Sequence, residues 1–338
     1  MDIFVSIILF GLSIGLILIS CFFFNNSMEW LGKRFELAEG IIGGILSITA
    51  TSIPQIIIPL IAFIFLRGAE TIQIGVGAII GAPFVLSTLG FAVIGYTVIA
   101  LAKKGDRAME IEADFIIISR DLKFFLITYS FAIFAGLLAD KAPKIFIGFM
   151  LLTIYGYYLY RNIVYEERVG EEVHTPLYFT PRSGEVTLEI ILFQLISSLA
   201  TLIGGACLFI HTMEEMAISA GGDKSLLIGL ILAIIFVPIV IELPSRINSI
   251  SWLKESKDTQ TLNNIISSMI FQACVLVMIG ILFSPWRLQG IALLVGSIPI
   301  LATAITYITM TIQEKVNPYV LLGSGGFYLV FILALFFV

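Results

Sequence analysis

The chain has 338 residues, 59% hydrophobic and 13% charged, with a formal net charge of −5 and a mean hydropathy of +1.04. Soluble domains carry about 45–50% apolar and about 25% charged residues, so that class is excluded. Backbone amides in lipid must be satisfied within their own segment, so the spans of such a chain are helices. The alternating pattern of a membrane barrel and the basic, aromatic-laced stripe of a nucleic-acid binder are both missing from the sequence.

In chain order, ten apolar runs read as spans: roughly 3–24, 38–66, 70–102, 122–139, 143–160, 186–217, 224–247, 260–284, 288–311 and 318–338. The first has no basic leader and is longer than a signal core, so it reads as a retained span. Polar punctuation such as Lys103-Lys104-Gly105-Asp106-Arg107 and Ser284-Pro285-Trp286-Arg287 separates the runs. The longest polar stretch, 161–185, divides five spans from five. The expected organisation is a membrane half over 1–160, a linker over 161–185 and a second half over 186–338.

Basic residues test the topology. With the N-terminus outside, fourteen Lys and Arg fall in inner loops and five in outer ones. That bias places both termini outside and the 161–185 loop in the cytoplasm. Each half then has an odd number of spans, so two copies of one unit insert in opposite senses. The expected fold is therefore all-α, a polytopic membrane protein of about ten transmembrane helices in two inverted five-helix repeats. Its partner is the lipid bilayer, and a prokaryotic cell membrane is the expected location.

An internal echo supports the repeat. Ser27-Met28-Glu29 parallels Thr212-Met213-Glu214, and a glycine-led apolar segment follows in each half. Two prolines interrupt each segment, Pro54 and Pro59 in one and Pro238 and Pro244 in the other. A proline frees the carbonyl one turn back, which is tolerable only in a protein-lined or watery place. Paired interruptions of this kind point to a transporter's midplane site.

The candidate ligands gather there. Thr51, Ser52 and Gln55 lie around Pro54 and offer neutral oxygens; hydroxyls in spans also bond simply to the preceding turn. Glu242 lies in an otherwise uncharged run, 226–243, between Pro238 and Pro244. A carboxylate inside a span is costly and marks a functional position by default. Its structural alternative is a pair with Arg246, one turn on. Ser268 and Gln272 stand one turn apart on one helical face. Glu29, Glu214 and Glu215 fall near span ends, and His211 has no second histidine near it. Cys21, Cys207 and Cys274 sit singly in apolar runs as small hydrophobes. No catalytic set is present: there is no HExxH, P-loop or serine elbow, and Gly221-Gly222-Asp223 misses the GxGD of intramembrane aspartyl proteases. No enzyme activity and no cofactor are expected.

These motifs resemble the sodium/calcium exchanger superfamily, whose paired α-repeats read roughly G-x(6–7)-G-T-S-x-P-E and then G-N-x-x-G-S-N-I-x-N/D. The first repeat resembles that from Gly43 through Thr51-Ser52-Ile53-Pro54-Gln55 to Gly77 and Gly81. The second does so from Gly229 through Glu242 to Asn264, Ser268, Ile270 and Phe271. The resemblance implies an antiporter that binds Ca²⁺, Na⁺ or H⁺ alternately. Its ligands would be Thr51, Ser52 and Gln55 on one arm and Glu242, Ser268 and Gln272 on the other. The chain departs from the pattern at Gln55, Ala82 and Leu86, at Pro238-Ile239 in place of Thr-Ser, and at Gln272. Only one of the family's two site glutamates remains. One carboxylate leaves a divalent ion uncompensated, whereas it suits a monovalent cation or a proton carried by Glu242 itself. The other function the sequence allows is a transport-inactive scaffold or regulator of the same fold.

Overall fold

The structure is a computed structural model that describes residues 3–34, 52–165, 176–180 and 185–336. Among the described residues the regular structure is helical, apart from one antiparallel bridge between Ile111 and Val316. The helices are α1 (Ile3–Arg34), α2 (Ser52–Leu66), α3 (Ala69–Val85), α4 (Phe91–Lys104), α5 (Phe115–Leu137) and α6 (Lys141–Tyr165). They continue with α7 (Leu188–Gly221), α8 (Ser225–Lys254), α9 (Asp258–Phe271), α10 (Val277–Phe283), α11 (Ile291–Gln313) and α12 (Pro318–Leu335). Two π-turns keep helices running, Leu86–Gly90 between α3 and α4 and Gln272–Leu276 between α9 and α10.

Seven stretches among the described residues are long and apolar enough to cross a membrane, one of them running through both α7 and α8. The protein is therefore an integral membrane protein. Helix α2 falls outside that set by length, and α5 carries three charges, Arg120, Asp121 and Lys123.

Two compact units divide the chain, and each draws on both sides of the 161–185 loop. One is Met1–Gly75 with Gly156–Leu232, the other Val76–Tyr155 with Ala233–Val338.

In the first unit α1 packs along α7. Phe10 stacks on Phe209 with ring centroids 5.1 Å apart, and Gly205 lets α1 approach so closely that a Cβ there would meet Leu16 at 3.2 Å. Small residues at such contacts are how helices pack when lipid offers no hydrophobic gain. The segment Pro176–Thr180 is tied onto both helices. Gln194, fully buried, accepts from Phe179 N at 2.9 Å and donates to Asn26 Oδ1 at 3.0 Å and to Phe23 O at 3.0 Å. At the other end of this unit Ser225 Oγ donates to Glu70 Oε1 at 3.0 Å.

In the second unit α3 meets α8 at backbone distance. A Cβ on Gly81 would lie 2.8 Å from both Cα and O of Ile234. Ile234 is also the residue whose carbonyl loses its helical donor to Pro238, which has no N–H. The glycine thus leaves room beside the freed carbonyl. Gly81→Ala is expected to cost about 1–3 kcal/mol through forced backbone displacement, read as a lowered Tm in detergent.

Polar clasps close both ends of the second unit. Arg107 grips Asp258 with two nitrogens, Nη1 to Oδ1 at 2.9 Å and Nη2 to Oδ2 at 2.6 Å, while Glu112 N donates to the same carboxylate at 2.8 Å. Lys315 pairs with Glu110 nearby at 2.7 Å and holds that carboxyl below its usual range. The pair is exposed, so it adds little to stability. At the other end Lys144, buried, donates to the carbonyls of Pro285 and Trp286 at 2.8 and 3.0 Å.

Candidate cation site

Helix α8 runs unbroken through Pro238 and Pro244. The prolines expected to interrupt this span remove two backbone donors without ending the helix. Glu242 lies between them and is 3% exposed.

Both oxygens of Glu242 are occupied. Gln272 Nε2 donates to Oε1 at 2.9 Å, and Arg246 Nη2 donates to Oε2 at 3.3 Å. The pairing with Arg246, which the sequence offered as the structural alternative, is what the structure shows. Glu242 is buried and Arg246 nearly so, with side-chain exposures of 4% and 11%. Arg246 Nη2 also donates to Asn264 Oδ1 at 2.9 Å. The main-chain carbonyl of Asn264 accepts from Ser268 Oγ at 2.9 Å, the usual bond of a helical serine to the turn before it.

Helix α9 explains the assembly. Asn264, Ser268 and Gln272 recur every fourth residue, so they share one face. Gln272 is the first residue of a π-turn, a local extra residue that often accompanies functional positions. The corresponding position of the first half, Leu86, also opens a π-turn. Leu86 stands to Gly77 as Gln272 stands to Asn263 in the two motifs.

Of the six predicted ligands, Glu242 and Gln272 touch directly, while Ser268 shares their neighbourhood on α9 but bonds to the preceding turn, at the Asn264 main-chain carbonyl. Ser52 and Gln55 are buried in α2, with exposures of 4% and 8%, and belong to the other compact unit. Thr51 lies outside the described residues. Two residues absent from the predicted set, Arg246 and Asn264, complete the cluster. The fourfold spacing of Asn264 with Ser268 and Gln272 could have pointed to the second of them.

Chemically the cluster offers one carboxylate and two side-chain amides, with a guanidinium in place. Its formal charge is zero. Among the described residues no three His, Cys, Asp or Glu side chains gather to hold a metal ion.

A polytopic helical membrane protein with a buried carboxylate in a proline-bearing span is the class this geometry defines. Residues 5–164 match the family model described as sodium/calcium exchanger protein. Solved structures give the fold. The chain is similar to an H⁺/Ca²⁺ exchanger, CAX, at 14% identity and a TM-score of 0.71, over 98% of this chain and 82% of that one. It is similar to native YfkE at 15% identity and a TM-score of 0.70, over 98% and 92%. A sodium-calcium exchanger, NCX_Mj, soaked with Na⁺ and Sr²⁺, matches at 18% identity and a TM-score of 0.59, over 98% of each chain. No curated protein matches. The resemblance to the sodium/calcium exchanger superfamily therefore stands on a sequence pattern and a fold together.

Proposed function

We propose that the chain is a secondary cation antiporter of the sodium/calcium exchanger type, working by alternating access. The observation that carries this reading is Glu242, a carboxylate buried in proline-bearing α8 and held by Gln272 at the start of a π-turn. A buried ionisable group in a span is costly and needs a use. In this reading Glu242, Gln272 and Ser268 supply one arm of the ligand set, with Thr51, Ser52 and Gln55 on the other. The cargo is Ca²⁺, Na⁺ or H⁺.

Two inverted five-helix repeats form the scaffold, with both termini outside and the 161–185 loop in the cytoplasm. The matched π-turns at Leu86 and Gln272 support the repeat. The clasps support the sidedness, because each joins loops that the alternation of spans assigns to one side: 103–114 with 255–258 and 314–317, and 138–144 with 284–290.

A second reading is favoured by one observation, the Arg246–Glu242 pair, which fills the carboxylate's charge from within. On that reading the chain keeps the fold without transport and serves as a scaffold or regulator.

Thermal unfolding of the detergent-solubilised protein separates the two. A ligand that binds only the folded state must raise its stability, by about 2.7 kcal/mol at a hundredfold excess over Kd. The antiporter reading expects a rise in Tm with Na⁺ or Ca²⁺ at constant ionic strength. A Tm indifferent to both ions under every condition of pH supports the scaffold.

A further inference from the structure

Two buried arginine–carboxylate pairs in the second unit differ in kind. Arg107 meets Asp258 fork to fork, two nitrogens on two oxygens at 2.9 and 2.6 Å, the geometry that makes such pairs strong and specific. Arg246 meets Glu242 through a single nitrogen at 3.3 Å, and that nitrogen lies closer to Asn264 Oδ1, at 2.9 Å. Its Nε and Nη1 are buried with no acceptor among the described residues. Buried donors are normally satisfied, and the exceptions ask for an explanation. A pair built only for stability would use its fork; this one is held by one prong, with a neutral acceptor already in place to keep the arginine after release.

A guanidinium is charged at every relevant pH and has no acceptor of its own. It cannot give Glu242 up by losing a proton, so it can do so only by moving. Resting on the antiporter reading, we infer that Arg246 is the resident cation of the Glu242 site and sets the valence of what replaces it. A monovalent ion takes the guanidinium's place against Glu242 while Asn264 retains Arg246, which brings the cluster from zero to one positive charge. A divalent ion leaves one positive charge in surplus beside a second, at a few ångströms and in a low-dielectric place, where like charges repel strongly. The substrate class is a monovalent cation, and Arg246 is the specificity-determining residue that turns divalent ions away.

The test is cation-dependent thermal stabilisation of the full-length protein in detergent, with NaCl and CaCl₂ as probes and choline chloride holding ionic strength. Wild type is expected to respond to Na⁺ and not to Ca²⁺. Arg246→Gln is expected to gain a Ca²⁺ response, its apparent Ca²⁺ affinity rising at least about tenfold as the repelling charge is removed. Arg246→Lys keeps the charge and is expected to gain none. Should Arg246→Gln not fold, Asn264→Asp carries the test: a carboxylate there draws the guanidinium off Glu242, and a Ca²⁺ response is again expected. A wild type stabilised by Ca²⁺ as strongly as Arg246→Gln overturns the inference while leaving the antiporter reading intact. So does a gain in Arg246→Lys equal to that in Arg246→Gln, or an Asn264→Asp protein blind to Ca²⁺ while wild type still answers Na⁺. If neither ion stabilises any version, the antiporter reading fails and the inference with it.

Discussion

Glu242→Gln is expected to destabilise the protein by about 3–5 kcal/mol, the usual consequence of removing one partner from a buried ion pair. The effect comes from Arg246. With the carboxylate gone, its guanidinium stays buried at 11% side-chain exposure, with Nε and Nη1 still lacking acceptors among the described residues. It would then keep only Asn264, a neutral amide, at 2.9 Å. Gln272 loses a charged acceptor as well, leaving its amide against a neutral one. Arg246→Gln in the Glu242→Gln background is expected to return most of the loss, because no buried charge is then left over. Unfolding of the two single variants and the double variant measures this directly, and the coupling energy follows from the cycle. Additive losses would mean that the 3.3 Å contact carries no energy.

Arg107→Ala is the second large effect, again about 3–5 kcal/mol. Asp258 is 1% exposed and would keep only neutral donors, chiefly Glu112 N at 2.8 Å. Arg107 also reaches the carbonyls of Leu253 and Glu110 at 3.0 and 2.8 Å, so it fastens the loop after α4 to the turn between α8 and α9. Truncation leaves those carbonyls short of a donor in addition to stranding the carboxylate. Asp258→Asn in the Arg107→Ala background is expected to recover part of the loss, since it removes the stranded charge and keeps the side chain's shape. The readout is the Tm of the purified protein. An Arg107→Ala protein as stable as wild type would show that the clasp is strong in geometry and idle in energy.

Much of the helical architecture was legible because lipid imposes it. A span of about 20 apolar residues has few alternatives to a helix, and turn residues such as Gly105 and Asn317 mark the ends where helices stop or start. Glu242 was legible for a related reason: one charge in the run 226–243 stands out against its neighbours. Its partner was visible only as a possibility. The spacing of Arg246 permits contact, but whether the pair is buried depends on α9 packing against α8, and no local pattern encodes that. The π-turns at Leu86 and Gln272 have no compositional mark, since a single extra residue in a turn leaves hydrophobicity unchanged. The compact units were hidden because they join segments far apart in the chain, as Gly81 against Ile234 illustrates. Proline was read too strongly: Pro238 and Pro244 remove donors, yet flanking turns keep α8 continuous. The charges of α5 were also easy to misplace. Asp121 is fully buried with Arg120 at 2.8 Å, so these two charges lie inside the helix rather than before the span begins.

The most direct test of the central claim is uptake of radiolabelled Na⁺ and Ca²⁺ into proteoliposomes under opposing Na⁺ or pH gradients. The double variant Glu242→Gln/Arg246→Gln is the control, because it removes the site's charges without leaving one stranded. Wild type is expected to take up cation driven by the gradient, and the double variant is expected to lose that uptake. No flux of either ion under any gradient, or a flux that the double variant retains in full, would contradict it.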